Sequence, residues 1–552
     1  MNHTEIESFA ISARSSTSTQ YGKILMGDSV TIELPTEPHL YLYHGWQSWS
    51  LAAWIETSIR VETQRPVILH PMQIDPVYVN HPLPHGSWYG GVIVVPEELR
   101  RGENGDREKM EKIIFLGALG LDAHVELRDN HLHGWYESGE GEWFSGIGNE
   151  IVLMNRYADL LEERFGKAPI LKTTNGKSKK SPRVWCSWYS LYTEINQDRL
   201  LKILADLGNL PFEVFQVDDG WEKSIGDWEA NEKFPNGMSV IAEQIKTSGR
   251  TAGLWLAPLL VVPSSGVYQQ HREWLLRDEH GQLVSAGFNW SEPLYAIDTT
   301  HPEALEWLAE LLKSVRSWGY DYLKLDFLYA GALPGVRHID MPRETAFRYG
   351  LQVMREAMGE AYFLGCGVPI LPSLGICDGL RVGPDVADCW VSGRDSQILV
   401  NHTTPGAQNA LRTSLHRLWL RPLVHTDPDV VYFRSIENHL TNRQKVLLRD
   451  LASIARFKAT SDIPSWLTET ERIELREYLE EYPEVAQVGR YSYKLGDRMV
   501  DFSAYIELPT PTRAEHALGR MVGGLANLPW VLKAFDKIGR DKLKKMLVRD
   551  PV

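Results

Sequence analysis

Residues 322–327 have the sequence YLKLDF, the pattern of a short buried β-strand that ends in a carboxylate. A helical pattern precedes this strand, since Pro302 suits a first helical turn, apolar residues recur every three or four positions up to Val315, and Gly319 ends the run. A helix that leads into a buried strand ending in an acid is the repeating unit of an α/β barrel, whose functional side chains lie at the carboxyl ends of its strands. Asp326 is therefore the first candidate catalytic residue.

The same alternation extends through residues 183–462. Strands are expected at 184–188, 214–218, 252–257, 322–326, 362–366 and 379–382, with two weaker patterns at 418–424 and 455–459. Helical patterns separate them, among them 196–207, 239–247 and 344–358. Eight such units in about 280 residues predict a (β/α)₈ TIM barrel. An open doubly wound sheet is the structural alternative, but no GxGxxG follows a strand, so a dinucleotide fold has little support.

The region before the barrel has a different pattern. Residues 1–170 contain short alternating stretches, such as 31–34 and 91–95, between Pro, Gly and Asn clusters. This spacing predicts an N-terminal β-sandwich. A helical pattern at 156–165 and a polar linker at 172–182 come next.

Residues 463–552 predict a small C-terminal α+β region. It has a helical pattern at 468–481, a hairpin at 489–506 that turns at Gly496, and a basic helical tail from about residue 514. The tail suits a solvated face or a subunit contact, and hence a homo-oligomer, better than an anionic membrane surface. The expected fold class is thus multidomain α/β, with the β-sandwich, the barrel and this region in order.

Composition excludes several classes of function. At 552 residues, with 43% apolar and 24% charged residues, the chain has the character of a soluble globular protein of two or three domains, and its net charge of −14 disfavours nucleic-acid binding. The four cysteines form no CxxC pair, so neither a zinc site nor a disulfide framework is indicated. An apolar leader and an 18-residue apolar run are both missing, which favours the cytoplasm and no membrane span.

A pair of acids, Asp218 and Asp219, follows the second expected strand in the sequence VDDGW. Two adjacent carboxylates repel each other unless they accept hydrogen bonds from a partner rich in donors. Neighbouring sugar hydroxyls are such a partner, and a hard metal ion is another.

Another acid, Asp385, follows the sixth expected strand in GLRVGPD. Arg381 would favour ionised carboxylates nearby, whereas a general acid must stay protonated. We therefore expect Asp385 to lie in a less solvated spot, beside the arginine without being clamped by it, with Asp388 and Asp395 as rivals for the role. Glycoside cleavage needs such a pair, one carboxylate at the anomeric carbon and one carboxylic acid at the leaving oxygen, and Asp326 with Asp385 suits it.

Six motifs occur in a family-like order. They are WCSWY (185–189), VDDGW (217–221), GDW followed by KFPNGM (226–238), GLWLAP (253–258), YLKLDF (322–327) and GLRVGPD (379–385). Together they resemble glycoside hydrolase family 36 of clan D, the α-galactosidase-like enzymes with an N-terminal β-sandwich before a catalytic barrel. The resemblance covers roughly residues 40–435.

The resemblance implies roles for the acids. Asp326 would be the nucleophile and Asp385 the general acid/base. Lys324 matches the family's lysine that contacts sugar hydroxyls. Asp218 and Asp219 would accept hydrogen bonds from the 4- and 6-hydroxyls, where galactose differs from glucose.

The resemblance also implies further contacts with the sugar. Arg381 would orient the acid side of the site and Trp188 would line the pocket. Trp255 could line it too, although a core tryptophan is the expected interpretation. Cys366 would lie near the sugar's 2-position, with a small buried thiol as the alternative.

The segment HGWQSWS (44–50) looks like the one from which family members lend a tryptophan to the barrel. Trp49 is favoured over Trp46, and two core tryptophans of a sandwich are the alternative. The chain departs from the family where the nucleophile strand has Leu325, in the segment after Phe457, and in its reduced C-terminal region. The last two departures put oligomerisation and aglycone recognition in doubt.

The sequence therefore predicts a retaining exo-α-galactosidase that acts on α-galactoside oligosaccharides, with no metal or organic cofactor. An α-galactosyl transglycosidase of the raffinose-synthase type and an α-N-acetylgalactosaminidase are the near alternatives. A non-catalytic sugar-binding protein and a metal-dependent hydrolase with Asp218 and Asp219 as ligands are more distant. A retaining mechanism predicts carboxyl groups about 5–5.5 Å apart.

Overall fold

The computed structural model describes residues 10–58, 67–79, 81, 84–94, 112–172, 180–391 and 404–508, and scattered positions between 514 and 531. The predicted basic tail from Lys533 to Arg549 lies outside the described residues, and so does most of the predicted linker.

The N-terminal part forms a sheet of twelve strands. They are β1 (Ile11–Ser12), β2 (Ser15–Thr19), β3 (Gly22–Gly27), β4 (Ser29–Glu33), β5 (Leu40–His44), β6 (Ala52–Glu56), β7 (His85–Gly86), β8 (Tyr89–Val94), β9 (Lys112–Ala118), β10 (Ala123–Arg128), β11 (His131–Tyr136) and β12 (Gly141–Gly148). Their order is β1-β4-β11-β10-β7-β5-β8-β9-β12-β3-β2, with β6 beside β5.

This sheet folds over on itself. A side chain at Gly134 of β11 would collide with Leu116 of β9 and Trp143 of β12, so these strands pack face to face. Apolar residues such as Leu116, Val125 and Trp143 are fully buried between the faces. The predicted strand patterns at 31–34 and 91–95 overlap β4 and β8, with residue 34 just after the end of β4 and residue 95 outside the described part.

The barrel and the excursions from it contain the next strands. They are β13 (Arg183–Cys186), β14 (Val214–Val217), β15 (Glu222–Ser224), β16 (Asp227–Ala230), β17 (Thr251–Leu256), β18 (Leu260–Val261), β19 (Ser285–Asn289), β20 (Glu292–Ala296), β21 (Tyr322–Leu325), β22 (Tyr362–Gly365), β23 (Gly379–Arg381), β24 (His425–Asp427) and β25 (Lys458–Thr460). Eight of them form a parallel sheet in the order β24-β23-β22-β21-β17-β14-β13-β25. Val431, which follows β24, pairs with Thr460 of β25 and links the two ends of the sheet. The predicted TIM barrel is confirmed.

The α-helices follow the strands as expected for this fold. They are α1 (His70–Gln73), α2 (Glu150–Phe165), α3 (Trp188–Leu191), α4 (Gln197–Asp206), α5 (Met238–Thr247), α6 (Gly266–Gln270), α7 (Pro302–Ser317), α8 (Arg343–Met358), α9 (Ile370–Ser373), α10 (Ala407–Leu415), α11 (Asn442–Ala455) and α12 (Glu469–Glu480). In α7 the residues Leu305, Leu308, Leu312 and Val315 are buried, which is the face that the periodicity predicted. Among the described residues, no helix is both long and apolar enough to cross a membrane.

Two predicted strands were misplaced. The apolar run at 418–424 begins with a 3₁₀-helix, Leu418–Leu420, whose leucines are buried, and the seventh strand is β24 instead. The eighth prediction, 455–459, began inside α11; Arg456 takes a left-handed conformation, with φ of 60°, and turns the chain into β25. In both cases burial in a helical turn had given the same apolar signal as a strand.

The C-terminal region contains α12 and a three-stranded antiparallel sheet of β26 (Val485–Gln487), β27 (Ser492–Leu495) and β28 (Arg498–Asp501). The predicted hairpin is β27 and β28, and Gly496 turns it with φ of 60°. The sequence missed β26, and the second arm ends at Asp501 rather than at residue 506.

Buried polar contacts fix the N-terminal sheet to the barrel near the loop that carries Asp385. Arg417 is fully buried and donates hydrogen bonds to the carbonyls of Gly45, Ser48 and Ser50, and to that of Val382 after β23. The segment that carries Trp49 is therefore anchored to the loop that carries Asp385.

Candidate active site

Four acids lie just beyond the carboxyl ends of three alternate strands of the barrel. Asp218 and Asp219 follow β14, Asp326 follows β21, and Asp385 follows β23. Since parallel strands end at the same edge, short strands with an acid at the tip bring these groups to one mouth of the barrel. The buried Asp326 and the partly exposed Asp385 are close enough for the charge of Asp385 to raise the pKa of Asp326.

Asp326 has hydrogen-bond donors on both carboxylate oxygens. The indole Nε1 of Trp255 lies 3.0 Å from Oδ2, and the backbone N–H of Phe327 lies 2.8 Å from Oδ1. The Nζ of Lys324 is 3.9 Å from Oδ2, and the buried Cys366 thiol lowers the pKa of Asp326. Burial raises the pKa of Asp326 above its ordinary value, whereas Lys324 and the donors oppose that rise. The donors therefore favour the ionised form, which is the nucleophilic one.

Lys324 lies between two carboxylates. Its Nζ is 3.0 Å from Oδ2 of Asp218, and the ammonium group is almost fully buried. Burial alone would lower the pKa of Lys324, but Asp218 and Asp326 outweigh it and raise that pKa well above its ordinary value. Asp218 Oδ2 also accepts from the Gln216 amide and the Cys186 thiol, so its hydrogen-bonding capacity is largely used within the protein.

Asp219 is held quite differently from its neighbour. The indole Nε1 of Trp290 lies 3.0 Å from Oδ2, while the buried Oδ1 receives no hydrogen bond from the described part of the chain. Burial raises the pKa of Asp219 well above its ordinary value, and the carboxyl of Glu222 raises it further. Oδ1 is thus an acceptor that remains open to a ligand hydroxyl.

Asp385 is the least buried of these acids, with 27% of its side chain exposed. Oδ1 lies 3.4 Å from Nη1 of Arg381, whereas Asp427 Oδ2 is 3.0 Å from Nε and Asp429 Oδ2 is 2.9 Å from Nη1. The guanidinium is therefore shared among three carboxylates. Asp385 thus lies beside the arginine without being clamped by it, as expected, but the expectation of a less solvated spot was wrong, because Asp385 is more exposed than the other acids around it.

Trp49 lies next to the segment after the nucleophile candidate. Its half-buried ring is 5.0 Å from that of Phe327 and 6.0 Å from that of Tyr329. Trp46 is fully buried, with the Arg343 guanidinium 5.3 Å from its ring centre. Of the two tryptophans, the structure thus places Trp49 at the site and Trp46 in the core. Phe327 itself has φ of 53°, a left-handed conformation that is rare for a bulky residue and common at functional sites.

The remaining predicted residues are less closely tied to the acids. Trp188 is half-buried, and its ring packs on Tyr192 at 5.2 Å. Trp255 is buried as a core residue would be, yet it also donates to Asp326. Asp388 is half-buried, and its backbone carbonyl accepts from the N–H of His439, whereas Asp395 lies outside the described residues.

Sequence reasoning missed four residues of this arrangement, namely Trp290, Tyr189, Asp427 and Asp429. Asp427 and Asp429 stand in HTDPD at the end of β24, where a correctly placed seventh strand would have pointed to them. Trp290 is at the tip of the β19–β20 hairpin, which no periodicity connects to the acids. No three His, Cys, Asp or Glu side chains of the described residues form a group that could hold a metal ion.

Comparison with known proteins agrees with this geometry. Residues 153–360 match the family model described as Melibiase. TtGalA, an α-galactosidase from Thermus thermophilus solved with p-nitrophenyl α-D-galactopyranoside, is 42% identical with a TM-score of 0.81, over 90% of this chain and 97% of that one. The GH36 α-galactosidase AgaA of Geobacillus stearothermophilus has a structure with a TM-score of 0.56 at 16% identity, over 84% of this chain and 64% of that one, which shows the fold alone.

The curated sequence of AgaA is 29% identical over 194 residues, which are 32% of this chain and 25% of that protein. The aligned part therefore spans about a quarter of the length of that curated relative. Barrel, acids and relatives together define a glycoside hydrolase. The chain belongs to glycoside hydrolase family 36, the α-galactosidase-like enzymes.

Proposed function

We propose that this protein is a retaining exo-α-galactosidase, with Asp326 as nucleophile and Asp385 as general acid/base. The observation that carries the proposal is the unequal treatment of the two carboxyls. Asp326 is buried and has donors on both oxygens, whereas Asp385 is partly exposed and has one long contact with an arginine that is already paired. A nucleophile needs its charge, which the donors on Asp326 favour, and an acid needs its proton, which a single long contact with Arg381 opposes only weakly.

The proposed reaction has two displacements. In the first, the Asp326 carboxylate attacks the anomeric carbon while the Asp385 carboxylic acid gives its proton to the departing glycosidic oxygen. In the second, Asp385 removes a proton from water, and the resulting hydroxide displaces Asp326 from the anomeric carbon. Two inversions retain the α configuration.

The open acceptor of Asp219 supports the choice of sugar. Asp218 is largely satisfied by Lys324, Gln216 and Cys186, while Oδ1 of Asp219 is buried and open. A galactoside hydroxyl that donates to this oxygen would supply the missing hydrogen bond, and a sugar without a hydroxyl there would leave it unpaired. TtGalA has been solved with an α-galactopyranoside and with stachyose, which supports an α-galactosyl saccharide as the substrate here.

The test is release of nitrophenol from the α-galactoside, the α-glucoside and the α-N-acetylgalactosaminide. We expect turnover of the galactoside, its loss in Asp326→Ala, partial rescue by azide as an external nucleophile, and an α-configured first product. Asp340→Ala, which removes an exposed carboxylate, is the matched control and should behave as wild type. Galactoside turnover that survives Asp326→Ala would show that the nucleophile is another residue.

The same assay separates the related activities. Transfer of galactose to sucrose in preference to water would indicate a transglycosidase of the raffinose-synthase type. Preference for the N-acetylgalactosaminide would move the specificity to the 2-position, where Cys366 lies beside Asp326.

We also propose a cytoplasmic location and self-association into a homo-oligomer. The four cysteines form no disulfide with one another, which suits a reducing compartment. Cell fractionation tests the first statement, since activity in a secreted fraction would contradict it. Sedimentation of the purified full chain tests the second, since a monomer at micromolar concentration would contradict it.

A further inference from the structure

The arginine beside Asp385 is surrounded by more negative charge than it can neutralise. Asp427 and Asp429 have side chains only 2% and 0% exposed, and they approach Arg381 to 3.0 and 2.9 Å. Asp385 is 27% exposed and stays at 3.4 Å. Buried carboxylates without a cation are costly, so the two buried acids have the stronger claim on the guanidinium.

Asp429 also holds the backbone that carries Asp385. Its Oδ2 accepts from the backbone N–H of Val386 at 2.9 Å and from the hydroxyl of Tyr189, and its own N–H donates to Asp427 Oδ1 at 2.8 Å. Asp429 has φ of 82°, a strained conformation for a non-glycine residue. Such strain persists only where surrounding contacts over-determine it, and these contacts all lead to Arg381 or to the segment of Asp385.

The balance of charge at Asp385 decides whether it can act as an acid. An arginine that approached this carboxyl alone would favour its ionised form, which has no proton to give. We propose that Asp427 and Asp429 are positioning residues that neutralise Arg381, so that Asp385 keeps its proton at a pH at which Asp326 is ionised. This inference rests on the proposed function, since it takes Asp385 as the acid/base.

The ionisable groups that face Asp385 come from five elements of the barrel mouth. They are Arg381 of β23, Tyr189 of α3, Asp429 after β24, Asp326 after β21 and Cys366 after β22. Burial raises the pKa of Asp429 to about 7, against the opposing effect of Arg381. The negative charge of Asp429 therefore grows as the pH rises through neutrality.

The test is the pH dependence of kcat/KM in Asp429→Asn and Asp427→Asn, measured with stachyose, whose leaving group is a sugar. The alkaline limb reports loss of the proton from the acid, so we expect it to move to lower pH by about one unit in Asp429→Asn. The shift should be smaller in Asp427→Asn, and the acid limb should stay in place. Asp378→Asn is the matched control, because Asp378 is also buried and 2.8 Å from an arginine, Arg355, but remote from the site.

A comparison of two leaving groups distinguishes an effect on the proton of Asp385 from general damage to the fold. p-Nitrophenol departs with little protonation, so its galactoside should show a much smaller shift than stachyose. An alkaline limb that stays in place for stachyose in a folded Asp429→Asn would overturn the inference. If that variant does not fold, Tyr189→Phe takes its place, because it removes one hydrogen bond to Asp429. It should give a smaller shift of the alkaline limb in the same direction. An alkaline limb that stays in place in Tyr189→Phe would also overturn the inference.

Failure of the proposed function would look different. In Asp385→Ala the alkaline limb for stachyose should vanish, and azide should restore turnover of the nitrophenyl galactoside. If the limb persists in Asp385→Ala, the acid has been misassigned, whatever Asp429→Asn does. If it vanishes there but is unmoved in Asp429→Asn, the acid is correct and only the role of the two buried acids is wrong.

Discussion

Each side of the site has one buried cation among carboxylates, but the number of carboxylates around that cation differs between the two sides. On one side, which we call the lysine half, Lys324 lies 3.0 Å from Asp218 and 3.9 Å from Asp326. On the other, the arginine half, Arg381 has three acids within 3.4 Å. The lysine half has one cation for two acids and the arginine half has one cation for three.

The two halves contain similar residues, but the different ratio of cation to acids suits them to opposite chemical roles. In the lysine half both acids are buried and the cation opposes the rise that burial causes in the pKa of Asp326, so Asp326 is suited to attack. In the arginine half the cation lies closer to two fully buried acids, Asp427 and Asp429, and Asp385 has the longest of the three contacts. On the proposed assignment, the number of carboxylates that share each cation, rather than the kind of residue, distinguishes the nucleophile from the acid.

The largest effect is expected when the cation of the lysine half is removed. Lys324→Met leaves two buried carboxylates uncompensated, so the free energy of unfolding should fall by about 3–5 kcal/mol. kcat/KM should fall by about 100- to 1000-fold, since an oriented charge next to the reacting group is lost. Chemical denaturation and steady-state kinetics give the two values.

Lys313→Met is the control for Lys324→Met. Lys313 is exposed on α7 and pairs with Glu310 at 2.8 Å, a kind of contact worth about 0–1 kcal/mol. If the two variants were equally stable, the charge of Lys324 would not be what holds the lysine half together.

A smaller effect is expected when one donor of the lysine half is lost. Trp255→Phe keeps an aromatic ring but removes the N–H that lies 3.0 Å from Asp326. That hydrogen bond lowers the pKa of Asp326, so its loss should raise the pKa further. Because attack needs the ionised carboxylate, the acid limb of the kcat/KM profile should move to higher pH by about half a unit. kcat should fall by about tenfold, and the alkaline limb should not move.

Trp185→Phe is the matched control for Trp255→Phe. Trp185 is also a buried barrel tryptophan, and its Nε1 donates to the carbonyl of Asp462 at 2.9 Å, away from the four acids. A shift of the acid limb in both variants would indicate a general loosening of the barrel instead of a direct effect on Asp326.

The lysine half could be predicted from the sequence much better than the arginine half. In the lysine half, short apolar runs end directly in acids, and Lys324 stands two residues before Asp326, so strand alternation places both side chains on the same face. The arginine half depends on β24, whose three residues, His-Thr-Asp, have no apolar pattern. The nearby leucine-rich 3₁₀-helix took its place in the prediction, so Asp427 and Asp429 were missed.

The hydrogen bonds that indole N–H groups donate could also not be predicted from the sequence. Trp255 has the apolar surroundings of a core residue, and only the folded structure shows that its N–H points to Asp326. Trp290 reaches Asp219 from a hairpin 71 residues further along the chain. Such contacts depend on how an excursion from the barrel folds back over its mouth, which neither periodicity nor turn residues encode.

The smallest effect is expected where the lysine half meets that hairpin. Trp290→Phe removes the N–H on Oδ2 of Asp219 but no group near the reacting bond. A hydrogen bond to a charged group contributes about 1.5–3 kcal/mol, and partial compensation by water should leave a rise in KM of about tenfold or less. kcat should change by less than about threefold, because this contact is the same before and during the reaction.

Separate measurement of kcat and KM for Trp290→Phe decides what Trp290 does. Trp274→Phe is the control, because Trp274 also donates its N–H to a carboxylate, that of Glu303 at 3.2 Å, far from the acids. A fall in kcat at constant KM would mean that Trp290 acts through the ring of Phe327, 5.0 Å away, and so through the nucleophile. In that case the β19–β20 hairpin, as well as Lys324, would position Asp326. The ratio of cation to acids alone would then no longer explain the difference between the two halves.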